Sequence, residues 1–166
     1  DETPMGPTGT DAVTIMLAAN SGAAPASLSK AASGGELSRV RLALEVVLAG
    51  TESGRTLVFD EIDSGVGGSV GIEIGRRLAA LATRHQVIVV THLAQVAAFA
   101  DTHLVVTKAD DGRITRSGVR EVGEADRERE LARMMSGMSG SQTAVDHARE
   151  LLDLARDARP PRDGGL

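Results

Sequence analysis

The chain has 166 residues, 42% of them hydrophobic and 25% charged, a globular balance in a length that suits one domain with a real core. Its net charge of -5 creates no overall basic field for nucleic acid, and the absence of cysteine excludes a disulfide scaffold, a thiolate zinc site and thiol catalysis. No apolar run approaches the roughly 18 residues of a membrane-spanning helix, and the first residues lack a signal-peptide pattern, so a cytoplasmic location is expected.

The chain begins at Asp1 rather than at a methionine, which predicts a piece of a longer protein. It holds two lysines, Lys30 and Lys108, so a function that needs a lysine in a special place has two candidates. Asp11 to Leu17 alternates polar and apolar residues as a half-buried strand does. Asn20 to Lys30, rich in Ser and Ala with Gly22 and Pro25, reads as a surface loop. From Glu36 the pattern turns helical, with Leu37, Val40, Leu44 and Leu48 as the expected buried stripe and Gly50 as the stop.

Thr56 to Phe59 is apolar without alternation, which predicts a central strand buried on both faces and ending on Asp60-Glu61. A glycine-rich turn, Ser64 to Gly68, leads into a second helix whose expected stripe is Val70, Ile74, Leu78 and Leu81. Gln86 to Val90 is a further strand, ending on Thr91-His92, and a short helix follows over Leu93 to Phe99. His103 to Thr107 and Arg113 to Val119 flank the turn Asp110-Asp111-Gly112 as a hairpin. Helices over Glu124–Met135 and Thr143–Arg156 close the pattern, and a disordered tail is expected over 159–166. The fold class is α/β: a parallel sheet flanked by helices, then a C-terminal β-hairpin and two helices. In such sheets ligands gather at the carboxyl ends of the strands, where Asp60-Glu61 and Thr91-His92 arrive.

Ser33-Gly34-Gly35-Glu36 stands directly before a helix. Its glycines let backbone amides turn to a phosphate, which the helix dipole and the Ser33 hydroxyl would favour. Alternatively, Ser33 is a simple helix cap with Glu36 closing a capping box. Asp60 could hold Mg²⁺ while Glu61 takes a proton from an attacking water, with Asp63 as a third acid; the alternative is a charged strand end meeting solvent. His92 could donate to a phosphate or polarise a water, or be a polar loop residue. His85, His103 and His147 have no partner spacing. Gly65 to Gly71 misses a dinucleotide fingerprint by one residue, and neither lysine follows a glycine, so there is no Walker A loop.

The series Lys30 to Arg39, Thr56 to Asp63 and Val89 to His92 resembles the second half of an ABC-type ATPase head. Within that superfamily it is most similar to the RecN family of SMC-like bacterial DNA repair proteins, and Glu130 to Gly137 fits as well. The resemblance covers about residues 11 to 156 and implies a head lobe over 1–158 whose Walker A lobe and coiled coil lie elsewhere. It implies that Ser33, Gly34, Gly35 and Glu36 are the signature motif, contacting ATP held by an opposite subunit. Asp60 would be the Walker B acid for Mg²⁺, Glu61 the catalytic acid, Asp63 to Gly67 the D-loop at the nucleotide, and His92 the switch histidine. Gly67 departs from the aspartate that often ends the D-loop.

The implied cofactors are ATP and Mg²⁺. The implied partners are a second copy in an ATP-sandwiched dimer, the protein's own Walker A lobe, and DNA at the nucleoid; the lobe alone is expected to be inactive. With two Phe, no Trp and no Tyr, the chain has little to stack on bases. A nucleotide-binding domain of a transporter or another SMC-like protein, an Mg²⁺-dependent nuclease and a non-catalytic dimerisation module are the other readings.

Overall fold

Apolar residues recurring at periods of two and about 3.6 become short strands and amphipathic helices. A computed structural model describes residues 9–10, 13–18, 22, 24–28, 34–48, 53–110, 115–137 and 141–159. Lys30, Ser33, Gly50, Asp111-Gly112 and the tail from Pro160 lie outside the described residues. In chain order the elements are β1 (Met16–Leu17), β2 (Ala26–Ser27), α1 (Gly34–Leu48), β3 (Thr56–Phe59), α2 (Gly68–Leu81) and β4 (Gln86–Val89). Then come α3 (Ala94–Ala97), β5 (Leu104–Asp110), β6 (Thr115–Glu121), α4 (Glu124–Ser136) and α5 (Gln142–Asp157). No helix among the described residues is long and apolar enough to cross a membrane.

β3 and β4 pair in parallel, Thr56 opposite Gln86 and Phe59 opposite Val89, with α2 between them in the chain. Leu57 and Phe59 are buried with Ile62, Leu42, Val96 and the Ile74, Leu78 and Leu81 stripe of α2. Burying each such side chain contributes about 1.5–3 kcal/mol. The other sheet face differs from expectation: Val58, Ile88 and Val90 are 49%, 46% and 58% exposed. α2 covers one face, and the face bearing these residues stays open among the described residues, so β3 alternates between buried and exposed positions.

α1 also turns differently. Leu37, Leu44 and Leu48 are exposed, while Gly35 and Leu42 are the buried positions. The helix meets the end of β3 through small and polar side chains, because it is held there by hydrogen bonds to backbone carbonyls. On α2, Val70 is half exposed, and buried Gly71 and Gly75 extend the inward face. A Cβ at Gly75 would run into the Phe99 ring, so glycine there lets the chain after α3 lie directly on α2.

A second core joins α3, α4 and α5. Leu131, Leu151 and Leu152 supply the bulk, and Ala132, Ala144, Ala148 and Ala155 keep the helices close. α4 ends at Gly137 in the left-handed region, and the Ser141 hydroxyl accepts from the Ala144 N–H to start α5. β5 and β6 form the expected hairpin, with Val106 opposite Val119 and Asp110 opposite Thr115. The strand expected over 11–17 is confined to Met16–Leu17 within the described residues, and its antiparallel partner is Ala26–Ser27, inside the stretch read as loop.

Candidate nucleotide site

The sheet ends in a tight reversal. The Asp60 carboxylate accepts the Glu61 N–H (2.9 Å), and Glu61 has φ 55, the one non-glycine residue with positive φ among those described. Left-handed backbone costs a side-chain-bearing residue about 1–2 kcal/mol, so the surroundings must hold it there. The Ser64 N–H donates to the Glu61 carbonyl (3.0 Å) and closes the turn. Consequently Asp60 and Glu61 face solvent while Ile62 and Asp63 point into the fold.

α1 clamps this turn from one side. The Ser38 hydroxyl donates to the Asp60 carbonyl (2.8 Å), and Arg39 donates to the carbonyls of Ile62 (3.3 Å) and Ser64 (2.9 Å). Arg41 donates to the Val58 carbonyl (3.2 Å) and lies over the Phe59 ring, 5.4 Å from its centroid. Gly35 permits the approach: a Cβ there would lie 2.7 Å from Ser64 Cβ and 2.9 Å from the Glu61 carbonyl oxygen. At Gly34 a Cβ would lie 2.8 Å from Glu61 Oε2, so the start of α1 and the Glu61 carboxylate are immediate neighbours.

The chain after β4 clamps the turn from the other side. Asp63, only 3% exposed, accepts at Oδ2 from the Thr91 hydroxyl (2.5 Å) and from the N–H groups of His92 (2.9 Å) and Leu93 (3.3 Å). His92 Nδ1 is 3.1 Å from the same oxygen, although the imidazole is 74% exposed. Burial opposes ionisation of Asp63, but the bonds from Thr91 and the His92 backbone outweigh it and hold the carboxyl below its ordinary 3.8.

Of the residues singled out in the sequence, Gly34, Gly35, Asp60, Glu61, Asp63 and His92 meet around one turn. Glu36 lies in the first turn of α1, and Ser33 is outside the described residues, so cap and phosphate cradle stand equally open there. Asp63 faces inward, unlike Asp60 and Glu61, which face solvent. His85 is buried and His147 is exposed; each sits apart from the hydrogen bonds that build the turn.

Among the described residues no group of three His, Asp or Glu side chains forms a metal cage. A single exposed strand-end carboxylate such as Asp60 fits Mg²⁺, which takes one or two carboxylates and completes its shell with phosphate and water. Ser38, Arg39 and Thr91 escaped the sequence reading as partners of the turn. Their only trace is position, since Ser38 and Arg39 follow Gly35 within about one helical turn.

No protein-family model matches the chain. It is 56% identical over 154 residues to a DNA repair protein RecN of Streptomyces coelicolor, a match covering 93% of this chain and 27% of that protein. It is 58% identical over 151 residues to the RecN of Mycobacterium leprae, covering 91% and 25%. The RecN of Treponema pallidum is 45% identical over 147 residues, covering 89% and 26%. The chain thus spans about a quarter of the length of these relatives. With its mixed α/β architecture, the chain is similar across nine-tenths of its own length to a segment of these RecN proteins.

Proposed function

We propose that this chain is the C-terminal lobe of an ATPase head in a bacterial protein of DNA double-strand break repair and recombination, acting in the cytoplasm at the nucleoid. One observation carries the reading: residues from three separated stretches, Gly34–Gly35, Asp60–Glu61 and His92, assemble around a single turn at the carboxyl end of a parallel strand pair. RecN proteins are named for DNA repair, and that supports the biological setting.

Asp60 would hold Mg²⁺, directly or through water, and the ion when bound would neutralise charge on the phosphates. Glu61, exposed and fixed by its left-handed backbone, would orient the attacking water and take its proton. His92 would meet the terminal phosphate or that water. Ser33, Gly34, Gly35 and Glu36 would present backbone amides and a hydroxyl to ATP held by a second copy, so that donors are already aimed where charge develops during in-line attack.

The phosphate-gripping lysine must then come from outside this chain, because no Walker A loop is present in the sequence. The protein's own N-terminal lobe is the proposed source. The open face of Val58, Ile88 and Val90 offers apolar surface for it to cover. DNA contacts belong elsewhere in the protein, since this lobe is acidic overall. The half-site reading is tested by titrating the isolated chain with ATP and Mg²⁺. Very weak binding and no turnover are expected, while tight binding would contradict it.

A further inference from the structure

The most deeply buried acid of the site is also the one that faces no ligand. Asp63 Oδ2 accepts from the Thr91 hydroxyl and from the N–H groups of His92 and Leu93, and His92 Nδ1 lies 3.1 Å from the same oxygen. The Thr91 hydroxyl in turn accepts from the Leu93 N–H (3.0 Å), so the whole loop 91–93 is wrapped on one carboxylate. An ionised carboxylate accepts and does not donate, so a proton on the ring nitrogen beside it is favoured over two facing lone pairs. That leaves Nε2 as the outward nitrogen: an acceptor in the neutral ring, a second donor in the charged one.

We propose that Asp63 is a positioning residue, which holds His92 as the Nδ1–H tautomer with Nε2 outward and ties it to the turn that carries Asp60 and Glu61. The link is short in the chain. Asp63 is two residues beyond Glu61, and its backbone is held in the same turn, where the Val66 N–H donates to its carbonyl (3.2 Å) and Arg39 holds the flanking carbonyls of Ile62 and Ser64. Asp63 thus ties the loop that carries His92 to the same turn that α1 clamps. This role in catalysis rests on the proposed ATPase reading; the tautomer itself does not.

The direct test is nitrogen NMR of the ¹⁵N-labelled chain above about pH 8, where an ordinary imidazole is neutral. His92 is expected as the Nδ1–H tautomer, and Asp63→Ala is expected to convert it to the Nε2–H form that unconstrained histidines favour. An Nε2–H tautomer in the unsubstituted chain overturns the proposal. So does a tautomer unchanged in folded Asp63→Ala; if that variant does not fold, the unsubstituted chain still decides.

In the complete protein, Asp63→Ala and His92→Ala are each expected to lower kcat about 10- to 100-fold with KM little changed, the scale on which partners that fix a histidine's tautomer act. Combining them is expected to cost no more than His92→Ala alone, because one acts through the other. Losses that multiply would overturn the catalytic role. A complete protein without ATPase activity would sink the ATPase reading, while the tautomer would still report on the Asp63–His92 link.

Discussion

Glu61 and Asp63 sit two residues apart in one turn and do opposite things. Glu61 holds an unfavourable backbone and an exposed carboxylate, whereas Asp63 holds a buried carboxylate whose Oδ2 accepts from Thr91, His92 and Leu93. The contrast has a consequence in pH. The folded-state carboxyl of Asp63 titrates below its ordinary 3.8, so its stabilisation is fully present above that value and is lost as pH falls through the lower folded value. Glu130 has the same sign, lowered first by its hydrogen bond from Arg133. Urea unfolding between about pH 5 and pH 2 is expected to show stability falling with pH, with part of that slope removed by Asp63→Asn. The sequence displayed Asp60, Glu61 and Asp63 as three neighbouring acids. It did not reveal which faced inward, because that depends on Thr91 and Leu93 from a loop 28 to 30 residues away.

At the scale of elements, α1 is fastened to the turn by close approach and by arginines more than by an apolar seam. Gly35→Ala forces a methyl group against Ser64 and the Glu61 carbonyl, and is expected to cost about 1–3 kcal/mol in denaturant unfolding. A change within about 0.3 kcal/mol would mean that α1 moves aside freely. Arg127 plays a comparable part at the end of α3. It donates to the carbonyls of Ala97, Ala98 and Ala100, binding α4 to the end of α3. Arg127→Met leaves those carbonyls without these donors and is expected to destabilise the chain by about 1–3 kcal/mol, measured in the same way.

The spans of α4 and α5 and the Ile74, Leu78 and Leu81 positions of α2 were legible because each helix buries its own apolar face within this chain. The stripe of α1 was equally apolar in sequence, yet Leu37, Leu44 and Leu48 lie exposed. Periodicity marks which face wants burial, but it does not say which polypeptide supplies the cover. β1 is the end of the strand read over Asp11–Leu17, whereas its two-residue partner β2 left no readable pattern, because a strand of that length has hardly any period.

On the scale of the whole molecule, the apolar face of β3 and β4 and the outer stripe of α1 are open in a chain that covers about a quarter of its relatives' length. Such surface fits a lobe that is completed by more protein, and the sequence pointed the same way through its missing phosphate-loop lysine. The order of the Gly34–Gly35, Asp60–Glu61 and His92 stretches was legible; their convergence on one turn came only with the fold. The central proposed role is that of Glu61 as the acid that activates water. The measurement is ATP turnover and ATP-dependent dimerisation of the complete protein carrying Glu61→Gln. A severe loss of turnover, on the order of 10²-fold or more, with ATP-dependent dimers retained is the expected result. Hydrolysis at the unsubstituted rate would contradict it.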